Sequence, residues 1–369
     1  MKDLLLLVGI SLCLAYCSQR GFGSVRLSKR TTLDIPLIIM IIMLSLFCGL
    51  RTSFNDTAAY ISGFQNAVTP SEFLSEEINL LGNPLFYFLT CVFRHYISAN
   101  YHTYLLVIAF FSITSFVLFI RRHSTSFVFN MMLFFSIGLY ISCFAAVKQT
   151  LAMAILTYAI DQLIKKKYLR FYLLVFLAVL FHSYAIMLIV LPFFAGKPWS
   201  TVTYLSIAVI IFVLFTFEAT ITELLDYAEE LGKDISETEV FDTQSINILR
   251  LGVFAAPPLL SFFFQHRLNP EMKRENCILF NMSILSVLVM SLGLASAGNL
   301  FGRSAIYFEI GTIISLSYII SHVFERKSAN TVKLLAGVLY LAFFGYSVQS
   351  FSSEYRAISL FEYFSKSIT

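Results

Sequence analysis

Charge is scarce in this chain. Asp, Glu, Lys and Arg make up 13% of its 369 residues, where soluble domains run near a quarter charged, and that shortage excludes an ordinary water-soluble fold. Several chemical signatures are also missing. There is no phosphate-binding P-loop, no G-x-S-x-G elbow, no H-E-x-x-H and no dinucleotide fingerprint, which disfavours an ATP-driven pump, a serine hydrolase and a zinc protease. The six cysteines, Cys13, Cys17, Cys48, Cys91, Cys143 and Cys277, form no C-x-x-C pair and no Cys/His metal spacing. They read as free, buried thiols, and neither a metal nor another cofactor is expected.

What is abundant is apolar. Hydrophobic residues make up 58% of the chain and the mean hydropathy is +0.78. Apolar runs of roughly 17–25 residues, each long enough to cross a bilayer, recur along the whole length. The fold class is therefore an all-α polytopic membrane protein, read as a single integral membrane domain over 1–369.

The net charge of +4 says little, but its distribution orients the chain. Basic residues cluster at Arg20/Arg26/Lys29/Arg30, Arg121/Arg122, Lys165/Lys166/Lys167/Arg170, Arg267/Lys273/Arg274 and Arg326/Lys327, while the segment from Glu218 to Asp242 is acidic. By the positive-inside rule the basic loops are cytoplasmic and the acidic ones face outward. The basic clusters sit at membrane edges rather than on one face, so nucleic acid is not an expected partner. The lipid bilayer is.

Apolar runs and loop charge together predict about twelve spans, within a range of roughly ten to fourteen. The stretch Met1 to Cys17 resembles a signal peptide ending in a lipoprotein-like Leu14-Ala15-Tyr16-Cys17. Tyr16 is too large for that box, and a retained first span is expected. Further spans are predicted near 32–50, 103–120, 126–142, 144–164, 200–217, 246–264, 277–294, 304–321 and 331–349. The stretch Tyr168 to Ala195 is too long for one span and short for two; as a hairpin it would place His182-Ser183 at an external turn. The piece opened by Asn83-Pro84 is too short to cross, so 84–96 is read as a re-entrant or interfacial helix. An acidic external loop is expected near 218–245.

With that topology Arg51, Arg94, Lys148, Arg250 and Arg303 fall on the outer side, next to spans, where orientation rules disfavour them. A ring of such cations suits a phosphate or pyrophosphate. Each could instead snorkel to lipid headgroups. The run from Cys143 to Gln149 puts Lys148 almost a turn inside its helix. His182, in an apolar stretch, is either a hydrogen-bonded core residue or a base at an external site. Asp56 could accept a proton or cap the helix beginning near Thr57. Arg303 and Tyr307 share a helix face, and Glu309, turned away from them, is expected to serve interhelical packing. Tyr60 and Tyr307 near the outer interface belong to an aromatic belt or stack on sugar rings.

Arg51 followed by Asp56-Thr57-x-x-Tyr60-x-x-x-Phe64 resembles the early external motif of the EpsG family of Wzy-like polysaccharide polymerases. Lys148-Gln149-x-x-Ala152-x-Ala154-Ile155, Ala178-x-x-Phe181-His182-Ser183 and Arg303-x-x-x-Tyr307-Phe308 resemble further landmarks of that family, in its order. The chain departs from the pattern at Lys148, where arginine is common, and at Asn55, where glycine is. The resemblance implies a bacterial inner-membrane glycosyltransferase, metal-independent and glycosyltransferase-C-like in fold, acting on the periplasmic or outer side. It would transfer the growing O-antigen, capsule or exopolysaccharide glycan from undecaprenyl pyrophosphate to the next lipid-linked repeat unit. A chain-length regulator and a flippase are the implied partner proteins.

In that reading Arg51, Lys148, Arg303 and Arg250 bind the pyrophosphate, Tyr60 and Tyr307 contact the glycan, and His182 or Asp56 acts on the acceptor hydroxyl. Two rivals stay open. A flippase or transporter of lipid-linked oligosaccharide would want ionisable groups at the midplane, where only Glu309 sits plainly. A membrane acyltransferase would also use one histidine.

Overall fold

The computed structural model describes residues 2–26, 32–216, 245–295, 297–349 and 351–368. Lys29, Arg30 and all but the last residue of the acidic loop expected at 218–245 lie outside them. The chain is 80% helical, an all-α membrane protein, with only two small two-stranded sheets among the described residues. Among the described residues five helices are long and apolar enough to cross a membrane, or six if one bent pair counts as a span, and five shorter apolar helices of 10–17 residues accompany them. The chain divides into two compact units, one of 1–78, 83–157 and 335–369, the other of 79–82 and 158–334.

The first unit opens with α1 (Lys2–Arg20) and α2 (Ile35–Gly49), joined by a hairpin of β1 (Ser24–Arg26) and β2 (Thr32–Asp34). Asp34 starts α2: one carboxylate oxygen accepts from the Leu37 amide at 3.2 Å, the other from the Ser18 hydroxyl at 2.5 Å. After β3 (Arg51–Ser53) come α3 (Thr57–Gln65), α4 (Pro70–Ser75) and α5 (Pro84–Val92), the last continued by a π-turn over Phe93–Ile97. The short helix expected at 84–96 is thus present. α6 (Tyr101–His123) packs along α2. Their approach is closest at Gly49, where a Cβ would stand 2.5 Å from the Leu106 Cα.

The span predicted at 126–142 is broken. α7 (Phe127–Ser136) and α8 (Leu139–Ala145) meet at 45°, because Gly138 takes a φ of +87° that ends one helix and re-aims the next. α9 (Val147–Ile164) then runs toward the basic triplet at Lys165.

The second unit resolves the ambiguous stretch 168–195. α10 (Tyr168–Phe181) stops at His182, whose backbone is extended, and Ser183–Phe194 follows as a 3₁₀ helix. At its greater rise, twelve such residues reach roughly 24 Å where α geometry would give roughly 18 Å. The side-chain amide of Asn281 secures the end of this helix by donating to the Phe194 carbonyl at 2.6 Å and the Gly196 carbonyl at 2.9 Å. α11 (Thr201–Phe215), α12 (Ile248–Phe263), α13 (Arg274–Leu292) and α14 (Gly298–Val323) complete the unit, and α15 (Arg326–Ser347) leads out of it. The first unit closes with β4 (Arg356–Ala357), paired antiparallel to β3, and α16 (Leu360–Ile368).

The α13–α14 pair is the most intimate contact of the second unit, and its seam is small and polar. Thr312 Oγ1 donates to Ser283 Oγ at 3.4 Å and Ser315 Oγ to the Leu279 carbonyl at 3.2 Å. At Gly311 a Cβ would collide with the Leu279 carbonyl and lie 2.6 Å from Met282 Cβ. Small residues at such seams let membrane helices approach where apolar burial gives no net drive. Gly311→Ala should therefore lower stability by about 1–3 kcal/mol through overpacking. Gly252→Ala, at a helical site open on all sides, should be neutral or gain up to about 1 kcal/mol. Thermal unfolding of the two purified variants in detergent checks both; equal midpoints would refute the packing account.

Candidate functional site

In the first unit Arg51 lies at the start of β3, directly after α2, and its side chain is 1% exposed. Nη1 donates to the Cys48 carbonyl at 2.7 Å and Nε to Thr57 Oγ1 at 3.0 Å. The Thr57 hydroxyl in turn donates to the Phe54 carbonyl at 2.5 Å. The guanidinium stands 5.9 Å from the centroid of Phe144, a ring packed also against Phe54, Phe351 and Tyr355. Nη2 has no hydrogen-bond partner among the described residues. Arg51 is expected on the outer side, as one of a ring of cations suited to a pyrophosphate. The structure turns the arginine inward, where it ties the end of α2 to the start of α3.

Asp56 does stand at the N-cap of α3, but its side chain makes no capping bond and is exposed, so of its two alternatives capping is not taken up. Asn55 adopts a φ of +45°, the left-handed region that glycine enters most easily and asparagine tolerates. The turn thus accommodates asparagine at this position.

Lys148 was expected almost a turn inside a helix; it is instead the second residue of α9, since α8 and α9 part at Ala146. Nζ donates to the Tyr87 hydroxyl at 3.2 Å and lies 5.1 Å and 5.9 Å from the Tyr87 and Phe86 rings. Tyr60 meets Phe86 edge-on at 6.1 Å. Tyr60 and Lys148 therefore share the aromatic face of α5. Tyr87 and Phe86 escaped the sequence reading because an aromatic pair in a short apolar piece looks like any membrane packing.

In the second unit the break at His182 faces α14. Tyr307 Oη and His182 Nδ1 share a hydrogen bond of 2.6 Å, and Tyr184 packs edge-on against the imidazole at 5.3 Å. Tyr307 is buried and His182 half-buried. Arg303, half-buried, lies one turn before Tyr307 on the same face of α14, within electrostatic reach of the phenol. Arg250, in the first turn of α12, lays its guanidinium on α14. Its Nη1 would be 3.3 Å from a Cβ at Gly302, and its Nη2 bonds Glu309 Oε1 at 3.4 Å. Glu309, 1% exposed, thus links α12 to α14, the interhelical role its position suggested. A charge so buried needs its partner, since removing one member of such a pair costs several kcal/mol (about 3–5).

His182, Tyr307 and Arg303 accordingly form one polar group in the second unit, with Arg250 and Glu309 as a second pairing on the same helix. Arg51, Asp56, Tyr60 and Lys148 belong to the first unit, in two clusters, one around Thr57 and one on α5. No group of three or more metal-ligating side chains occurs among the described residues.

A model of the EpsG family matches residues 34–365, nearly the whole chain. The chain belongs to the EpsG family. EpsG-family proteins are Wzy-like polysaccharide polymerases, so the His182 break, the α5 aromatic face and the Arg51 turn all belong to a membrane protein of polysaccharide biosynthesis. No curated protein and no solved structure matches the chain.

The Arg51 turn makes a separate prediction. Thr57→Val keeps the shape of the side chain but removes the acceptor of Nε and the donor to Phe54. Loss of a bond to a buried charge should lower stability by about 1–3 kcal/mol. The thermal midpoint of the purified variant tests this, and a midpoint equal to that of the unaltered protein would rule the tie out.

Proposed function

We propose that this EpsG-family protein polymerises lipid-linked oligosaccharide repeat units. It transfers the growing glycan from undecaprenyl pyrophosphate to the next unit, at the outer face of a bacterial inner membrane. The observation that carries the reading is the His182–Tyr307 hydrogen bond at a helix break, with Arg303 one turn away, inside a family of polysaccharide polymerases. A base, a group that orients it and a cation are what glycosyl transfer from a phosphate leaving group requires.

The acceptor hydroxyl oxygen attacks the anomeric carbon of the growing chain. The bond from that carbon to the pyrophosphate oxygen breaks, and its electron pair leaves with the phosphate. Arg303 faces the charge that appears there, as a planar donor suited to paired oxyanions. With the shared proton on Nδ1 and donated to Tyr307 Oη, Nε2 is the basic nitrogen of His182 and takes the proton of the acceptor hydroxyl. Tyr307 then acts as a positioning residue that fixes ring and tautomer. Arg250, held by Glu309, supports α14 and adds positive potential. In the first unit the exposed Asp56 is a second candidate base, and Lys148 with Tyr60 offers a cation and aromatic surface to glycan or phosphate. No metal takes part in this scheme.

The same reading assigns the chain a single integral membrane domain with a glycosyltransferase-C-like bundle. The five shorter apolar helices and α9, added to the long ones, make up about twelve spans. A chain-length regulator and a flippase are its expected partners.

The test is the polysaccharide ladder of the native strain carrying Arg303→Ala, His182→Ala or Tyr307→Phe. Loss of the base or the cation should cut polymerisation by about 10² or more. The phenylalanine variant should retain a weak ladder. Wild-type ladders from the two alanine variants, at normal protein level, would overturn the mechanism.

A further inference from the structure

The start of α6 carries a cavity of about 500 Å³, within the size range of small-molecule sites. None of the residues discussed above lines it. Its walls are Ser98, Asn100, Tyr101, His102 and Thr103 from the turn into α6, and Tyr363 from α16.

Both walls are held in place. Asn100 Oδ1 accepts from the His102 amide at 2.9 Å, and Ser98 Oγ accepts from the Asn100 amide at 3.1 Å, which fixes the turn. The His102 ring, 3% exposed, packs 4.1 Å from the Tyr101 ring and backs it from behind. Across the cavity the Tyr363 and Thr103 hydroxyls share a hydrogen bond of 3.0 Å, which holds α16 against α6.

The chemistry of the lining selects the ligand. It offers aliphatic and phenolic hydroxyls, an amide, the edge of the buried His102 imidazole and two tyrosine rings, with no Asp, Glu, Lys or Arg. Hydroxyls that both donate and accept match a polyol, and aromatic faces match the C–H face of a sugar ring. A phosphate or anionic headgroup would call for a cation in the wall. An acyl or isoprenoid chain would strand these polar groups without partners.

We infer that this cavity is a glycan-holding subsite, which grips neutral sugar residues of the polymer or of the incoming repeat unit. The inference rests on the polymerase reading for the identity of the glycan, not for the chemistry of the walls. A grip of this kind governs how long the chain stays engaged, and therefore polymer length.

The probe is a set of oligosaccharides of two or three repeats, made by partial hydrolysis of the native strain's own polysaccharide. Their binding to the full-length protein in nanodiscs is followed by saturation-transfer NMR for the wild type, Tyr101→Ala, Tyr363→Ala and Asn100→Asp. The last keeps a capping oxygen for α6 and replaces the amide donors with a charged acceptor. Each variant should bind about fivefold to tenfold more weakly, the size of one or two lost hydrogen bonds, and should give shorter modal chains in vivo. Fragments that ignore the wild type, or that bind all three folded variants as tightly, would overturn the subsite. Fragment binding that weakens in these variants while Arg303→Ala still polymerises would instead sustain the subsite and overturn the catalytic assignment.

Discussion

Inside hydrocarbon a polar group has no water to turn to, so one left without a partner in the chain costs several kcal/mol. Much of this structure follows from that one constraint. Asn281 spends its amide on the carbonyls that end the 3₁₀ helix. Glu309 would be untenable alone and stands beside Arg250. The α13–α14 seam closes through hydroxyls and a glycine rather than through large apolar side chains. Helix α14 is the extreme case, with 94% of its most apolar window buried. A helix apolar all round is one the protein encloses, and Arg303, Tyr307 and Glu309 stand on it at helical spacing. The candidate chemistry is thus mounted on a helix packed by protein on nearly every side.

The class of the fold was plain from composition, since scarcity of charge and recurring apolar runs leave little choice. Helix positions followed the same runs closely. The interruptions did not, and the reasons are local. A single glycine at 138 splits α7 from α8, and periodicity does not register one residue of left-handed backbone. Nor does an apolar run distinguish α from 3₁₀ winding, so the stretch after His182 stayed ambiguous until its geometry was known. In the candidate site, the shared helix face of Arg303 and Tyr307 was legible because i, i+4 spacing fixes it. The partnership of His182 with Tyr307 and of Arg250 with Glu309 was not, because contact between distant helices leaves no mark in either one alone. The burial of Arg51 was not legible either, because a position beside a span gives no sign that Thr57, only six residues on, accepts from its Nε.

Arg51 and Asn55 show how the residues of a short stretch can be structural. The arginine fixes the exit from α2 and the asparagine supplies the turn that α3 needs. Asp56 and Tyr60 then follow at set positions, one exposed and one against the face of α5. Side chains that set the frame need not touch a substrate to be required by it.

The pairing of β3 with β4 joins the neighbourhood of residue 51 to that of residue 357, and Phe351 and Tyr355 complete the aromatic packing around Phe144. Chains are made from the N-terminus onward at some 5–20 residues per second. Arg51, with its partners Cys48, Thr57 and Phe144, is therefore made long before the strand that pairs with β3. Chains that stop short of β4 would leave β3 unpaired and Phe144 without Phe351 and Tyr355, an exposed edge open to membrane quality control.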